Sequence, residues 1–268
     1  MGKIVSISTC SHAPQIVTRP KVDEEYYNLV RKVQEGIIRV GELLKERSPD
    51  VLIMIGADHL ESFFFDNYPM LLIPVVEKAS GQMGGFAAEY DIHKETAETL
   101  LFSLINQGFD VSFSQNFRLD HPYLSPLRWL GERFKCPIVP IHINSNVPPL
   151  MLPGRALNLG KAIRNTVTRE MDESLRIAVL GTGGLSHFPG TPLYGKVDLD
   201  FDNMILGKIE DGKGHELASI PSGDLEKSGN LELRTWLCAM GASSTGRGKV
   251  IAHVPTFHID YAVVDYEI

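Results

Sequence analysis

Residues 50–56, Asp-Val-Leu-Ile-Met-Ile-Gly, carry five consecutive large apolar side chains between an acid and a glycine. A half-exposed strand alternates apolar and polar residues, so an unbroken run of this length suits a strand buried on both faces of a sheet. Just upstream, within residues 24–46, Tyr26, Val30, Val33, Ile37, Val40 and Leu44 recur at steps of three and four. That spacing lines one face of a helix. A long amphipathic helix leading through Pro49 into a doubly buried strand is a unit of an α/β fold, because helices packed on both faces are what hide such a strand.

The alternation continues along the chain. Strands are expected at 3–9, 70–76, 111–114, 137–143, 175–180, 250–253 and 259–264, and helices at 92–107, 126–134, 154–169, 199–209 and 231–240. Residues 78–90, rich in Gly and Ala, and residues 213–229 read as surface loops. The expectation is an α/β fold forming one domain over residues 1–268, with a mostly parallel central sheet flanked by helices. In such a sheet, ligands bind at the carboxyl edge of the strands.

Charge and composition exclude several classes. The net charge is −7 and no basic block stands out, so nucleic acid is not the expected partner. No stretch approaches the roughly 20 apolar residues that a membrane span requires. The apolar run at the N-terminus is too short for a signal peptide, and Gly2 with Ser6 matches a myristoylation pattern only superficially. A cytoplasmic protein is expected. Cys10, Cys136 and Cys238 are odd in number and widely spaced, which fits reduced thiols rather than a disulfide framework or a CxxC metal site.

The histidines are more informative by position than by number. His12, His59, His121 and His187 each follow the carboxyl end of an expected strand, where side chains from separate strands converge. Any one of them alone reads as a hydrogen-bonded structural residue; four at one edge point to a shared polar site. His93 and His215 read as surface residues and His142 as a satisfied core histidine, while His253 and His258 flank a turn that reaches the same edge. Neutral imidazoles ligate Zn, Fe and Cu. A carboxylate partner is harder to find among 33 acidic residues. Glu232 stands among Leu231, Leu233, Trp236 and Leu237, where a carboxylate is costly to bury unless it is paired or metal-bound. On the residues alone, an ion pair with Arg234 or a solvated first helical turn explains it better. Asp58 and Asp120 each precede a histidine, as acceptors for its ring or as loop residues. No GxSxG, GxGxxG, Walker or HExxH motif is present. The glycines of Gly181-Thr-Gly-Gly-Leu-Ser-His187 let the backbone approach a ligand closely.

Five stretches resemble a known family in their order. They are Ser11-His-Ala-Pro, Asp58-His-Leu-Glu-Ser-Phe-Phe-Phe-Asp-Asn-Tyr-Pro69, Leu119-Asp-His-Pro, Gly183-Gly-Leu-Ser-His187 and Glu232-Leu-Arg-Thr-Trp-Leu. Together they resemble the class III (type II) extradiol ring-cleavage dioxygenases, the family of protocatechuate 4,5-dioxygenase catalytic subunits, gallate dioxygenases and 2,3-dihydroxyphenylpropionate dioxygenases. The resemblance implies Fe(II) held by His12, His59 and Glu232, with a small aromatic diol and O2 as reactants. It implies that His187 is the acid/base beside the diol, and that His121 donates a proton or positions the substrate. Relatives acting on aminophenols or dihydroxypyridines, and zinc-binding or non-catalytic cousins, are the alternatives. Members of the family hold a substrate carboxylate with a small hydroxyl residue near the last strands. Here the segment reads Val254-Pro-Thr-Phe-His258, so Thr256 is the candidate hydroxyl, with His258 beside it, and the ring substituent stays open. Some family members take a small helical subunit as a lid; here that role falls to such a chain or to contacts within a homo-oligomer.

Overall fold

A computed structural model describes residues 1–18, 23–131 and 135–268. The helix expected first is α1, Glu24–Arg47. Asp23 caps it by accepting from the Tyr26 backbone N–H at 2.8 Å, and Ser48 ends it in the left-handed region at φ 45°. The six apolar positions picked out by periodicity are all buried. Burying one Val, Ile or Leu side chain is worth about 1.5–3 kcal/mol, so this face is what fastens the helix to the sheet.

Among the described residues, the main sheet has eight strands in the order β6-β3-β7-β2-β8-β1-β10-β9. They are β1 (Lys3–Ser11), β2 (Val51–Gly56), β3 (Leu71–Pro74), β6 (Ser112–Ser114), β7 (Ile138–Ile143), β8 (Arg176–Gly183), β9 (Gly248–Pro255) and β10 (Asp260–Tyr266). The heart, β7-β2-β8-β1, is parallel throughout. Every residue of β2 and β7 is buried, as a strand between two helical layers requires. Antiparallel pairings lie outside this heart, where β3 meets β7 and where β10 meets β1 and β9.

Alternate residues of β2 feed two cores. Ile53 and Ile55 pack with α2 (Lys94–Asn106), α4 (Pro153–Glu170), α5 (Leu199–Glu210) and α7 (Leu233–Ala242). Leu52 and Met54 pack with α1 and α3 (His121–Leu130) on the other face. Among the described residues, no helix is long and apolar enough to cross a membrane. All three cysteines are free, and burial pushes the Cys136 thiol up to about 12.

Three local expectations are corrected. Residues 78–90 are not a loop but the hairpin β4 (Lys78–Met83) and β5 (Phe86–Asp91). Its turn is Gly84-Gly85, at φ 53° and 83°. Two consecutive positive φ angles are what a two-residue hairpin turn needs, and glycine adopts them freely. Helix α3 begins at His121 rather than at residue 126, because Asp120 caps it and Pro126 is carried inside it; the end of that expected helix, residues 132–134, lies outside the described residues. Residues 213–229 hold a 3-10 turn, Gly214–Ser219, and a short helix α6, Ser222–Ser228, closed by Gly229 at φ 78°.

Candidate metal centre

The parallel heart brings its carboxyl ends together, and β1, β2 and β8 are each followed by a site residue, with two more at helix starts. His12 follows the last residue of β1, and its backbone N–H donates to Gly183 O at 2.9 Å. His59 lies three residues beyond β2, His187 lies four beyond β8, and Glu232 is the N-cap residue of α7. His121 opens α3.

Glu232 is the point of convergence. It is 2% exposed, and its Oε1 lies 2.9 Å from His12 Nε2 and 3.2 Å from His59 Nε2. Its Oε2 lies 3.7 Å from His187 Nε2 and has no hydrogen-bond partner. Arg234 does not pair with it; that guanidinium is turned to the carbonyls of Met151 and Leu231. Burial opposes ionisation of Glu232, yet His12, His59 and His187 hold its carboxyl well below the usual range.

Partners of the other ring nitrogens fix the tautomers. Thr182 donates its hydroxyl to Ile55 O at 3.2 Å, so at 3.1 Å it accepts from His12 Nδ1–H. His12 Nε2 thus faces the Glu232 carboxylate at 2.9 Å, a pairing that a shared proton or a cation between the two atoms satisfies. His187 Nδ1 donates to Leu185 O at 2.8 Å, leaving its Nε2 bare as well. His121 Nδ1 lies 2.9 Å from Asp120 Oδ1.

Asp120 links two of the rings. It accepts from the His59 backbone N–H at 2.8 Å, and its Oδ2 is 3.5 Å from His59 Nδ1 without hydrogen-bond geometry. Burial works against a charge on His59, but the Asp120 and Glu232 carboxylates raise it to about 10. Burial, with the charge on nearby His59, lowers His121 to about 4, and burial lowers His187 too. Two carboxylates beside one imidazole favour positive charge there, carried by a proton or by a metal ion.

Ligand atoms of His12, His59 and His121 also fall within 4.8 Å of one another. Two donor sets are thus geometrically available, sharing His12 and His59. Asp58 serves the loop instead. Its oxygens accept from the backbone N–H groups of Glu61, Ser62 and Phe63, and its own N–H donates to Nδ1 of His142 at 3.0 Å. His142 is the satisfied core histidine expected, its Nε2 donating to Pro69 O. His93 caps α2 and His215 meets Met240 O, so both are half-buried rather than free on the surface.

A cavity of about 210 Å³ opens on this cluster, walled by His12, His59, His121, His187, Tyr194 and His258. His258 is buried and its Nδ1 is unpartnered. Thr256 does not line this cavity: its hydroxyl donates to Ile259 O at 2.6 Å and closes the β9–β10 turn. His253 pairs with Asp260 at 2.8 Å and does not line it either. The glycines before His187 serve close approach within the protein. A Cβ on Gly183 would lie 3.1 Å from Glu232 Cβ, and one on Gly184 3.2 Å from the His187 ring. Thr182 and Tyr194 carry no sequence signal; they are recognisable only once the strands are assembled.

Residues 6–264 match the family described as the catalytic LigB subunit of aromatic ring-opening dioxygenase. The chain belongs to this family, the class III extradiol dioxygenases. Among similar proteins, the 2,3-dihydroxyphenylpropionate/2,3-dihydroxicinnamic acid 1,2-dioxygenase 2 of Pseudomonas putida is 32% identical over 181 residues, 67% of this chain and 57% of that protein. The corresponding dioxygenase of Escherichia coli strain 55989 is 30% identical over 202 residues, 75% of this chain and 62% of that protein. The chain thus spans about 57–62% of the length of these relatives. An uncharacterized protein of Escherichia coli K12, JW3007, shares the fold at a TM-score of 0.63 and 12% identity, over 98% of this chain and 99% of that one.

Proposed function

We propose that this protein is a non-haem Fe(II) extradiol dioxygenase that opens a catechol-type ring with O2, its metal held by His12, His59 and Glu232. The observation that carries the reading is the meeting of two imidazole Nε2 atoms on one buried carboxylate oxygen whose sister oxygen is unpartnered. Two histidines and a carboxylate on one face of an iron leave positions open for substrate and O2. Glu232 is preferred to His121 as the third ligand because a buried carboxylate needs a cation, whereas a neutral imidazole does not. Iron bound there would supply chelation of the two diol oxygens and electron exchange with O2.

The chain's own groups handle protons. Leu185 O holds Nδ1–H of His187, so Nε2 is the atom that accepts a proton from the diol. General acid–base help of this kind is worth about 10²–10⁴-fold. His121, backed by the Asp120 carboxylate, is placed to take up a proton and return it when the ring opens. His258 offers its unpartnered Nδ1 to the substrate, a role the hydroxyl of Thr256 is too engaged to fill.

The test is anaerobic loading with Fe(II), followed by O2 uptake on a panel of catechols, aminophenols and dihydroxypyridines. One O2 consumed per diol, with a new yellow chromophore, is the expected result. Preferential zinc retention with no O2 uptake on any member of the panel would sink the proposal.

A further inference from the structure

The chamber on the metal cluster is not the only space that reaches His187. A second cavity of about 580 Å³ shares His59, His187 and Pro189 with it and touches Glu232. Its walls are mainly apolar, formed by Leu60, Phe65, Val147, Pro148, Phe188 and Leu231. Apart from the two histidines, the polar groups on the walls are acidic or already engaged. Asp58 has its oxygens filled by three backbone N–H groups, and Glu226 stands exposed at the rim. Among the described residues, no Lys or Arg lines either cavity.

The two spaces divide the work by size and polarity. At about 210 Å³, the smaller one holds a diol ring against the histidines but little more. Because His59, His187 and Pro189 wall both, a substituent on a ring held in the smaller space lies next to the larger, apolar one. A carboxylate carried there would give up part of its hydration beside Glu226, and among the described residues no Lys or Arg of the walls would pair with it. An alkyl or aryl group would meet Leu60, Val147, Phe188 and Leu231. From this geometry we infer that the larger cavity receives the ring substituent, and that the preferred substrate carries an uncharged apolar one, of alkyl-chain or phenyl size. The inference rests on the ring-cleavage reading above and deepens it. It departs from the relatives, whose names specify carboxylated diols.

Three probes test it on the full chain loaded with Fe(II): catechol, 3-phenylcatechol and 2,3-dihydroxyphenylpropionate. In O2-uptake kinetics, kcat/KM for 3-phenylcatechol should exceed that for the carboxylated diol by roughly ten- to a hundredfold, the range apolar pocket contacts supply. Val147→Trp, which fills the cavity, should lower kcat/KM for 3-phenylcatechol at least about tenfold more than for catechol. Phe65→Arg, on the exposed rim, should narrow the gap by improving the carboxylated diol; because it changes an exposed side chain, it keeps the test open if the Trp variant misfolds. A preference for the carboxylated diol, or a Val147→Trp loss equal for all three, overturns the inference and leaves ring cleavage standing. If none of the three is turned over, ring cleavage of these diols fails, and anaerobic titration calorimetry on the same loaded chain still ranks them. Tighter binding of 3-phenylcatechol supports the cavity assignment, and equal or reversed affinities overturn it.

Discussion

Asn230 donates from Nδ2 to Asp202 Oδ1 at 2.9 Å. Asp202 also accepts from the Ser186 backbone N–H at 3.1 Å and from the Ser186 hydroxyl. Ser186 precedes His187, and Asn230 stands two residues before Glu232. One buried carboxyl on α5 therefore ties the loop of the proposed base to the loop of the proposed metal carboxylate. Asp202→Ala leaves these donors unpaired, at about 1–3 kcal/mol for each buried group. The expected outcome is a lower melting temperature, together with a fall in kcat larger than the change in KM. Asp202→Asn should recover part of both, and equal kcat in all three proteins would refute the positioning role.

The same carboxyl gives a pH signature. Burial raises Asp202 to about 7 against an ordinary 3.8, with the nearby Asp260 adding to it, although Ser186 and Asn230 pull the other way. A folded-state value above the unfolded one means that the native state binds the proton more tightly. That contribution to stability is complete below about pH 3.8 and is lost as pH rises through about 7. Urea midpoints measured at pH 5 and pH 8 should therefore fall more across this window in the wild-type protein than in Asp202→Asn.

His142 should show the opposite sign. Its neutral ring accepts from Asp58 N–H and donates to Pro69 O, holding the turn that leads into His59. Burial lowers it to about 4 from 6.5. Its contribution is present above pH 6.5 and lost as pH falls through about 4. Acid titration of the ring resonance by NMR should show no protonation at pH 6, and midpoint near 6.5 would contradict the buried, doubly bonded ring.

The parallel core was legible because its signals are local. Unbroken apolar runs such as 51–55 and the three-and-four spacing of α1 leave few alternatives. The β4–β5 hairpin was missed because its strands carry few large apolar side chains, although Gly84-Gly85 marks its turn. The placement of His12, His59, His121 and His187 at one edge followed from strand order alone. Glu232 did not: its neighbours in the chain argue rather for an ion pair or a solvated turn, the family resemblance is what singles it out, and the fold turns it toward His12 and His59. Thr182, Asp202 and Asn230 were illegible for the same reason, since each acts on residues distant in sequence.

Thr182 tests the tautomer argument. Thr182→Val keeps the shape of the side chain but removes the acceptor for His12 Nδ1–H and the donor to Ile55 O. Such a partner to a ligating imidazole is typically worth about 10–100-fold in metal affinity. Competition titration with a chelator should show a loss of that size for Fe(II), with the melting temperature of the metal-free protein changing little by comparison. Unchanged affinity would mean that the hydroxyl does not set the ring.

His187 and Glu232 separate proton handling from metal holding. They lie 3.7 Å apart, yet the proposed roles demand opposite phenotypes. His187→Ala removes a base that is not a ligand, so iron content should stay near that of the wild type while kcat falls by about 10²–10⁴-fold. Glu232→Gln removes the negative charge that gathers His12 and His59, so iron should be lost first and turnover with it. Its metal-free form has a further expected behaviour. Without the carboxylate, the balance on His59 shifts back toward its burial cost, and its ring should titrate below the value of about 10 that Asp120 and Glu232 now sustain. Metal analysis, O2 uptake and NMR titration of His59 read these three consequences separately. Iron lost in His187→Ala but kept in Glu232→Gln would exchange the two roles.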